Sequence, residues 1–369
     1  MAGGGADKIP VSTWAFPLAA CALFAITTAF GATPSSGLGA VLSLFLIPIL
    51  FGTVFAAVHH AEIIAHRTGE PYGTLVLTAA VTIIEVALII SIMVSSDATP
   101  TLARDTVFAV VMIVCNGLIG ACIVVGGLRH GEQGFRTKGA ASYLHVLIAM
   151  ATLTLVLPNF TRASPGPVYS VSQLVFVSIV TIILYAAFLF IQTVRHRDYF
   201  IVLGEDGDGA GGSEHIPSNR AAIISLILLL FALTAVILLS KKFATVVEYG
   251  VGLLGAPYAV VGIIVALVIL LPESVAAIRA AKRDELQKSV NLALGSSLAT
   301  IGLTMPAVAA ISIWVEKPLT LGLDSSDTVL LSVTILISML TFGAGRTNIL
   351  AGVVHLILFA TYLFLAFVP

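Results

Sequence analysis

The stretch Val81-Thr-Ile-Ile-Glu-Val-Ala-Leu-Ile-Ile90 places one carboxylate, Glu85, inside a run with no other charge. Apolar residues continue on both sides, over about residues 74–95. That is long enough to cross the roughly 30 Å of a bilayer's hydrocarbon at 1.5 Å per residue. A charge in the middle of such a span costs on the order of 3 kcal/mol on insertion scales, so Glu85 is expected to face protein or a water-filled cavity.

The rest of the chain repeats this pattern. Of its 369 residues, 58 % are hydrophobic and 10 % charged, and the mean hydropathy is +1.08. These values exclude an ordinary soluble domain. Eleven runs are long enough to span: 15–31, 37–57, 74–95, 105–127, 139–158, 171–193, 219–240, 251–272, 289–312, 327–345 and 347–367. The expected fold is an all-α polytopic membrane protein with about eleven transmembrane helices. The first run could be a secretory signal cleaved near Ala32, but the membrane character of everything downstream favours a retained helix. Eighteen Lys and Arg nearly cancel nineteen Asp and Glu, so the charge balance implies no nucleic-acid partner and leaves membrane lipids as the surroundings. Cys21, Cys115 and Cys122 lie in apolar runs without metal spacing and read as small core residues. No resident cofactor is implied.

The distribution of basic residues orients the chain. With these spans, thirteen Lys and Arg fall on the side of the N-terminus and five on the other, namely Arg104, Arg162, Lys241, Lys242 and Lys317. Basic residues accumulate on the cytoplasmic side. The N-terminus is therefore expected in the cytoplasm and the C-terminus outside, in a cytoplasmic membrane.

Between the sixth and seventh runs lies the Gly-rich acidic segment Gly204-Glu-Asp-Gly-Asp-Gly-Ala-Gly-Gly-Ser-Glu214. It has too few apolar residues to pack. The expected organisation is an N-terminal segment and first helix (1–35), a five-helix repeat (36–193), a cytoplasmic linker (194–218) and a second five-helix repeat (219–369). An odd number of helices per half makes the second half enter the membrane in the opposite sense, the inverted-repeat plan of many secondary transporters. Glu205, Asp206, Asp208 and Glu214 either concentrate cations at the mouth or form a solvated linker.

The second run of the second half supplies a counterpart to Glu85: Val268-Ile-Leu-Leu-Pro-Glu-Ser-Val-Ala-Ala277, with Glu273. Pro272 removes a helical donor beside that carboxylate, so a kink or opening with exposed backbone oxygens is expected. Thr78, Thr82 and Glu85 form an oxygen stripe on one helical face, although a membrane threonine often bonds back to its own helix. The helices that follow each glutamate carry Asn116 in the first half, and Asn291, Ser296, Ser297 and Thr300 in the second. Gly117, Gly120, Gly295 and Gly302 would allow close helix contact. Hard cations take oxygen ligands. Two glutamates neutralise one divalent ion, and the same two can instead hold protons, because desolvation disfavours the charged form of a carboxyl group. A site that holds either a metal ion or protons is the minimum machinery of exchange.

At these residues the chain resembles the calcium:cation antiporter superfamily, specifically the bacterial ChaA-type calcium/proton and sodium/proton antiporters. The resemblance rests on HHAEIIAHRTGEPYGTLVLTAAVTIIEVALI, RDTVFAVVMIVCNGLIG and LLPESVAAIRAAKRDELQKSVNLALGSSLATIGLTMP, and extends from about residue 36 to the end. It implies alternating access, with Glu85 and Glu273 as ion and proton carriers. The vacuolar branch usually has Gly-Asn shortly before each acid, whereas this chain has Val81-Thr82 and Ile269-Leu270, so that branch's selectivity does not carry over.

The sequence also offers rivals. His59, Glu62 and His66 lie near one helical face and could be metal ligands of an intramembrane hydrolase, but they match neither H-E-x-x-H nor H-x-x-E-H. They could equally be interfacial residues or a proton and cation antenna. A channel lacks a ring or filter sequence here. Glu248 and His355 have no evident partner, and His355 reads as a packed or interfacial histidine. The expected function is proton-coupled cation antiport, exporting Ca2+ first and Na+ or K+ second in exchange for H+.

Overall fold

The computed structural model describes residues 10–69, 72–95, 100–201 and 217–368. Among them are eleven helices long and apolar enough to cross a membrane: α1 Ser12–Ala29, α2 Gly37–Thr68, α3 Tyr72–Met93, α4 Leu102–His130, α5 Thr137–Phe160, α6 Val171–Arg195, α7 Asn219–Leu253, α8 Ala259–Ala281, α9 Leu286–Val315, α10 Ser325–Gly343 and α11 Ile349–Phe367. The Gly204–Glu214 stretch and its acidic residues lie outside the described residues.

Four boundaries differ markedly from those expected, for one physical reason. Hydropathy falls where polar residues begin, but a helix ends only where the backbone is made to leave it. Thus α2 continues past residue 57 through His59 and Glu62 and stops before Gly69, whose φ is +68°. Helix α7 continues past residue 240 through Lys241 and Lys242 to Leu253, and Gly255 turns the chain at φ +61°, where a side chain would be strained. Helix α8 consequently begins at Ala259 rather than near 251, and ends at Ala281 rather than 272.

The expected opening at Pro272 is not found. Helix α8 runs unbroken through it, with Pro272 buried, which places Glu273 inside the helix and not at its end. Irregular backbone lies in the following helices, and also in α5 at Thr152–Val156 and α6 at Ile191–Arg195. Helix α4 contains a π-helical stretch, Ile113–Leu118, and α9 contains another, Thr300–Thr304. Each comes at nearly the same sequence distance beyond its glutamate, and such widened turns are frequent at functional sites.

The chain forms two compact units, residues 1–98 with 209–256 and residues 99–208 with 257–369. Each draws on chain from both sides of the linker. In the first unit α2 packs against α1, α3 and α7, and α3 also packs on α7. There Ser91 of α3 and Ser240 of α7 are hydrogen-bonded at 2.5 Å. In the second unit α4 packs on α8 and α11, α8 on α9, α5 on α10, and α6 on α9. Every residue of α4 from Leu102 to Asn116 is buried. The short strands β1 Gln133–Gly134 and β2 Arg346–Thr347 pair antiparallel, Gln133 opposite Thr347.

Candidate ion-binding residues

In the first unit Glu85 is 2 % exposed on α3. Thr78 and Thr82 share its helical face, two turns and one turn nearer the helix start. Helical threonines elsewhere, such as Thr53, Thr193 and Thr234, bond to the carbonyl four residues back. Thr78 and Thr82 do not, among the described residues. Their oxygens are therefore uncommitted, a property of the stripe that sequence alone left open.

In the second unit Glu273 is the α8 carboxylate. The Ser296 hydroxyl of α9 is its side-chain hydrogen-bond partner, while Glu273 Oε2 is enclosed and takes no hydrogen bond among the described residues. Ser297, next along α9, is fully buried with an Oγ that also has no partner. Thr300 is buried at the start of the π-stretch. Enclosed oxygens without donors cost free energy unless something fills their lone pairs. A proton or an oxygen-seeking cation does so, which makes Glu273 with its α9 serines chemically suited to either.

The two asparagines differ from expectation, because other groups already use their amides. Asn291 Oδ1 accepts from Gln287 Nε2 at 2.8 Å, and its Nδ2 donates to the Phe200 carbonyl at 2.7 Å. Asn291 thus links α9 to the segment after α6. Asn116 is fully buried in the α4 π-stretch. Its Nδ2 donates to Thr334 Oγ1 at 2.8 Å, and its Oδ1 lies 3.1 Å from His355 Nδ1. Of the four glycines expected at close contacts, Gly117, Gly120 and Gly302 have neighbouring helices at 3.2 Å or less from where a Cβ would sit, and Gly295 does not.

His59, Glu62 and His66 all lie in the last turns of α2, with Glu62 and His66 exposed. Among the described residues no three of His, Cys, Asp and Glu come together in a metal-holding group. The buried histidine of this helix is the neighbour sequence reading passed over. His60 is fully enclosed, with Nε2 3.4 Å from the Thr13 carbonyl and Nδ1 3.3 Å from Ser225 Oγ. His355, read as lacking a partner, has three: Asn116, Thr341 and the Cys115 backbone. Arg104, counted as a loop charge, is buried in the first turn of α4, paired with Asp105 at 2.8 Å and bonded to the Gly322 carbonyl at 3.0 Å. Adjacent opposite charges at a helix start were the available signal for that pair.

Residues 37–194 and 224–368 match the family described as sodium/calcium exchanger protein. The chain belongs to that family. It is similar to y4hA of Sinorhizobium fredii, at 46 % identity over 98 % of this chain and 97 % of that one. It is also similar to the sodium-potassium/proton antiporter ChaA of Escherichia coli, at 38 % identity over 89 % of each, and to the Ca2+/H+ antiporter ChaA of Bacillus subtilis, at 24 % identity over 67 % of this chain and 69 % of that one. Among solved structures, native YfkE shares the fold at TM-score 0.74 and 18 % identity, covering 97 % of this chain and all of that one. The H+/Ca2+ exchanger CAX does so at TM-score 0.67 and 15 % identity, covering 96 % and 89 %. The protein is therefore a polytopic membrane transporter of the antiporter class and not an enzyme, which removes the hydrolase reading of His59, Glu62 and His66.

Proposed function

We propose that this transporter expels cations from the cytoplasm in exchange for protons, with Glu85 and Glu273 each binding cation or proton in turn. The observation that carries this reading is the state of Glu273. Its Oε2 is enclosed without a hydrogen bond beside Ser296 and the unpartnered Ser297. Glu85, buried in the corresponding helix of the first half, supports it. Ionised, each carboxylate attracts a cation, and protonated it carries no charge. Only these two loaded forms avoid leaving bare charge in the membrane, and that restriction couples the two fluxes. Thr78, Thr82, Ser296, Ser297 and Thr300 add neutral oxygens. The two halves act as inverted repeats, each exposing its carboxylate alternately to either side.

Ca2+ is the first substrate, because a hard divalent ion takes carboxylate and neutral oxygen ligands of the kind each unit offers. A second reading, Na+ or K+ export with little Ca2+, is supported by the Escherichia coli relative, whose name specifies sodium and potassium. The excess of basic residues on the N-terminal side supports a cytoplasmic-membrane location with the N-terminus inside. The half-buried His59 and the exposed Glu62 and His66 at the cytoplasmic end of α2 serve as a proton or cation antenna in this orientation. Competition among Ca2+, Na+ and K+ for proton efflux from proteoliposomes tests the choice. Displacement by Ca2+ alone supports the first reading, and displacement only by monovalent ions supports the second.

A further inference from the structure

A buried polar chain joins α4, α10 and α11 of the second unit. Asn116 Nδ2 donates to Thr334 Oγ1 at 2.8 Å, the Asn116 oxygen lies 3.1 Å from His355 Nδ1, and His355 Nε2 lies 3.0 Å from Thr341 Oγ1. With the Asn116 oxygen turned toward His355, Nδ1 carries the imidazole proton and Nε2 accepts from the Thr341 hydroxyl. Every member is at most 8 % exposed, with Asn116 and His355 at 0 %. Thr334, Ser338 and Thr341 fall on one face of α10, and Ser338 Oγ between them is enclosed without a partner. The helices are brought this close by glycine. A Cβ on Gly120 of α4 would lie 3.0 Å from the Gly352 carbonyl and 3.1 Å from His355 Cβ, and one on Gly352 would lie 2.9 Å from the Gly120 carbonyl.

Well-packed apolar residues would hold these helices together at less desolvation cost. What the polar chain adds is orientation. Both ends of the Asn116 amide are fixed, and Asn116 sits within the Ile113–Leu118 π-stretch, the irregular turn that recurs in α9 at Thr300–Thr304.

We infer that His355 is a positioning residue for transport. It holds Asn116, and through it the widened turn of α4, in the geometry that gives the protein its cation affinity. This rests on the antiporter reading above.

The test is a double-mutant cycle in reconstituted protein, with cation KM and maximal rate as the readouts. His355→Ala raises the KM of the preferred cation by about fivefold, the order expected for one buried hydrogen bond, with a much smaller change in maximal rate. Asn116→Ala does the same, and the double variant is no worse than either single one. His355→Gln, whose amide can donate to Asn116 and accept from Thr341, restores most of the affinity, and it carries the test if His355→Ala fails to fold. Additive effects, a Gln variant as impaired as the Ala variant, or an unchanged KM in His355→Ala would overturn the inference. Loss of antiport in Glu85→Gln and Glu273→Gln, alongside any of those results, would leave the antiporter reading standing.

Discussion

Ser296 of α9 hydrogen-bonds the Glu273 carboxylate of α8, and the other oxygen of that carboxylate, Oε2, is enclosed with no hydrogen bond. The pairing fixes one oxygen and leaves the second for a proton or a cation. Replacing Ser296 by Ala removes a neutral donor but not the charge. Cation KM is expected to rise about three- to tenfold, in line with roughly 1 kcal/mol for a hydrogen bond. Uptake assays across a cation titration measure this.

Proton competition gives a second prediction. If cation and proton share Glu85 and Glu273, acid on the loading side protonates the carboxylates and raises the apparent cation KM. The limiting slope is about tenfold per pH unit for each competing proton. Maximal rate at saturating cation is expected to change less. A KM independent of loading-side pH would place proton and cation on separate groups.

The Asn291 clasp predicts a stability effect without a selectivity effect. Asn291→Ala unbonds Gln287 Nε2 and the Phe200 carbonyl, costing about 1–3 kcal/mol. Thermal unfolding in detergent should occur at lower temperature, while the ratio of KM values among cations stays at the wild-type value. A changed ratio would return Asn291 to the ligand set.

The pair Arg104–Asp105 has both side chains at most 9 % exposed and a 2.8 Å contact. Removing one partner strands a buried charge at a cost of about 3–5 kcal/mol. Arg104→Ala is therefore expected to lower folded yield and thermal stability sharply. Combining Arg104→Met with Asp105→Leu should recover much of both, measured by size-exclusion yield and unfolding temperature.

Much of this architecture was legible because a membrane imposes its demands one residue at a time. Eleven apolar runs became eleven helices, and Glu85 stood out because nothing near it in sequence is charged. Helix ends were less legible, since apolar residues run on without a break through the end of α7 at Leu253, and only Gly255 and Pro257 marked the turn. The two glutamates could be read from position, but the state of the surrounding amides could not. Asn116 and Asn291 looked like equivalent ligands until their partners, His355 from α11 and Phe200 from beyond α6, were brought to them by tertiary packing. Pro272 misled in the other direction. A single missing donor is absorbed within α8, and the widened turns form in α4 and α9 instead.

Outside the membrane spans, Tyr169 illustrates a contact invisible in sequence. Its hydroxyl donates to the Leu153 carbonyl at 2.5 Å, beside another π-turn, Thr152–Val156, and burial pushes the phenol up to about 12, so it remains a donor at any working pH. Tyr169→Phe is expected to cost about 1 kcal/mol of stability with transport constants retained, as paired unfolding and uptake measurements would show.

The central claim is that Glu85 and Glu273 both carry the exchanged ions. Its most direct measurement is cation-driven proton movement in proteoliposomes for the wild type, Glu85→Gln and Glu273→Gln, with folded protein in the membrane quantified for each. The account predicts proton movement on cation addition in the wild type and none in either variant at equal folded protein. Exchange persisting at the wild-type rate in either glutamine variant would contradict it.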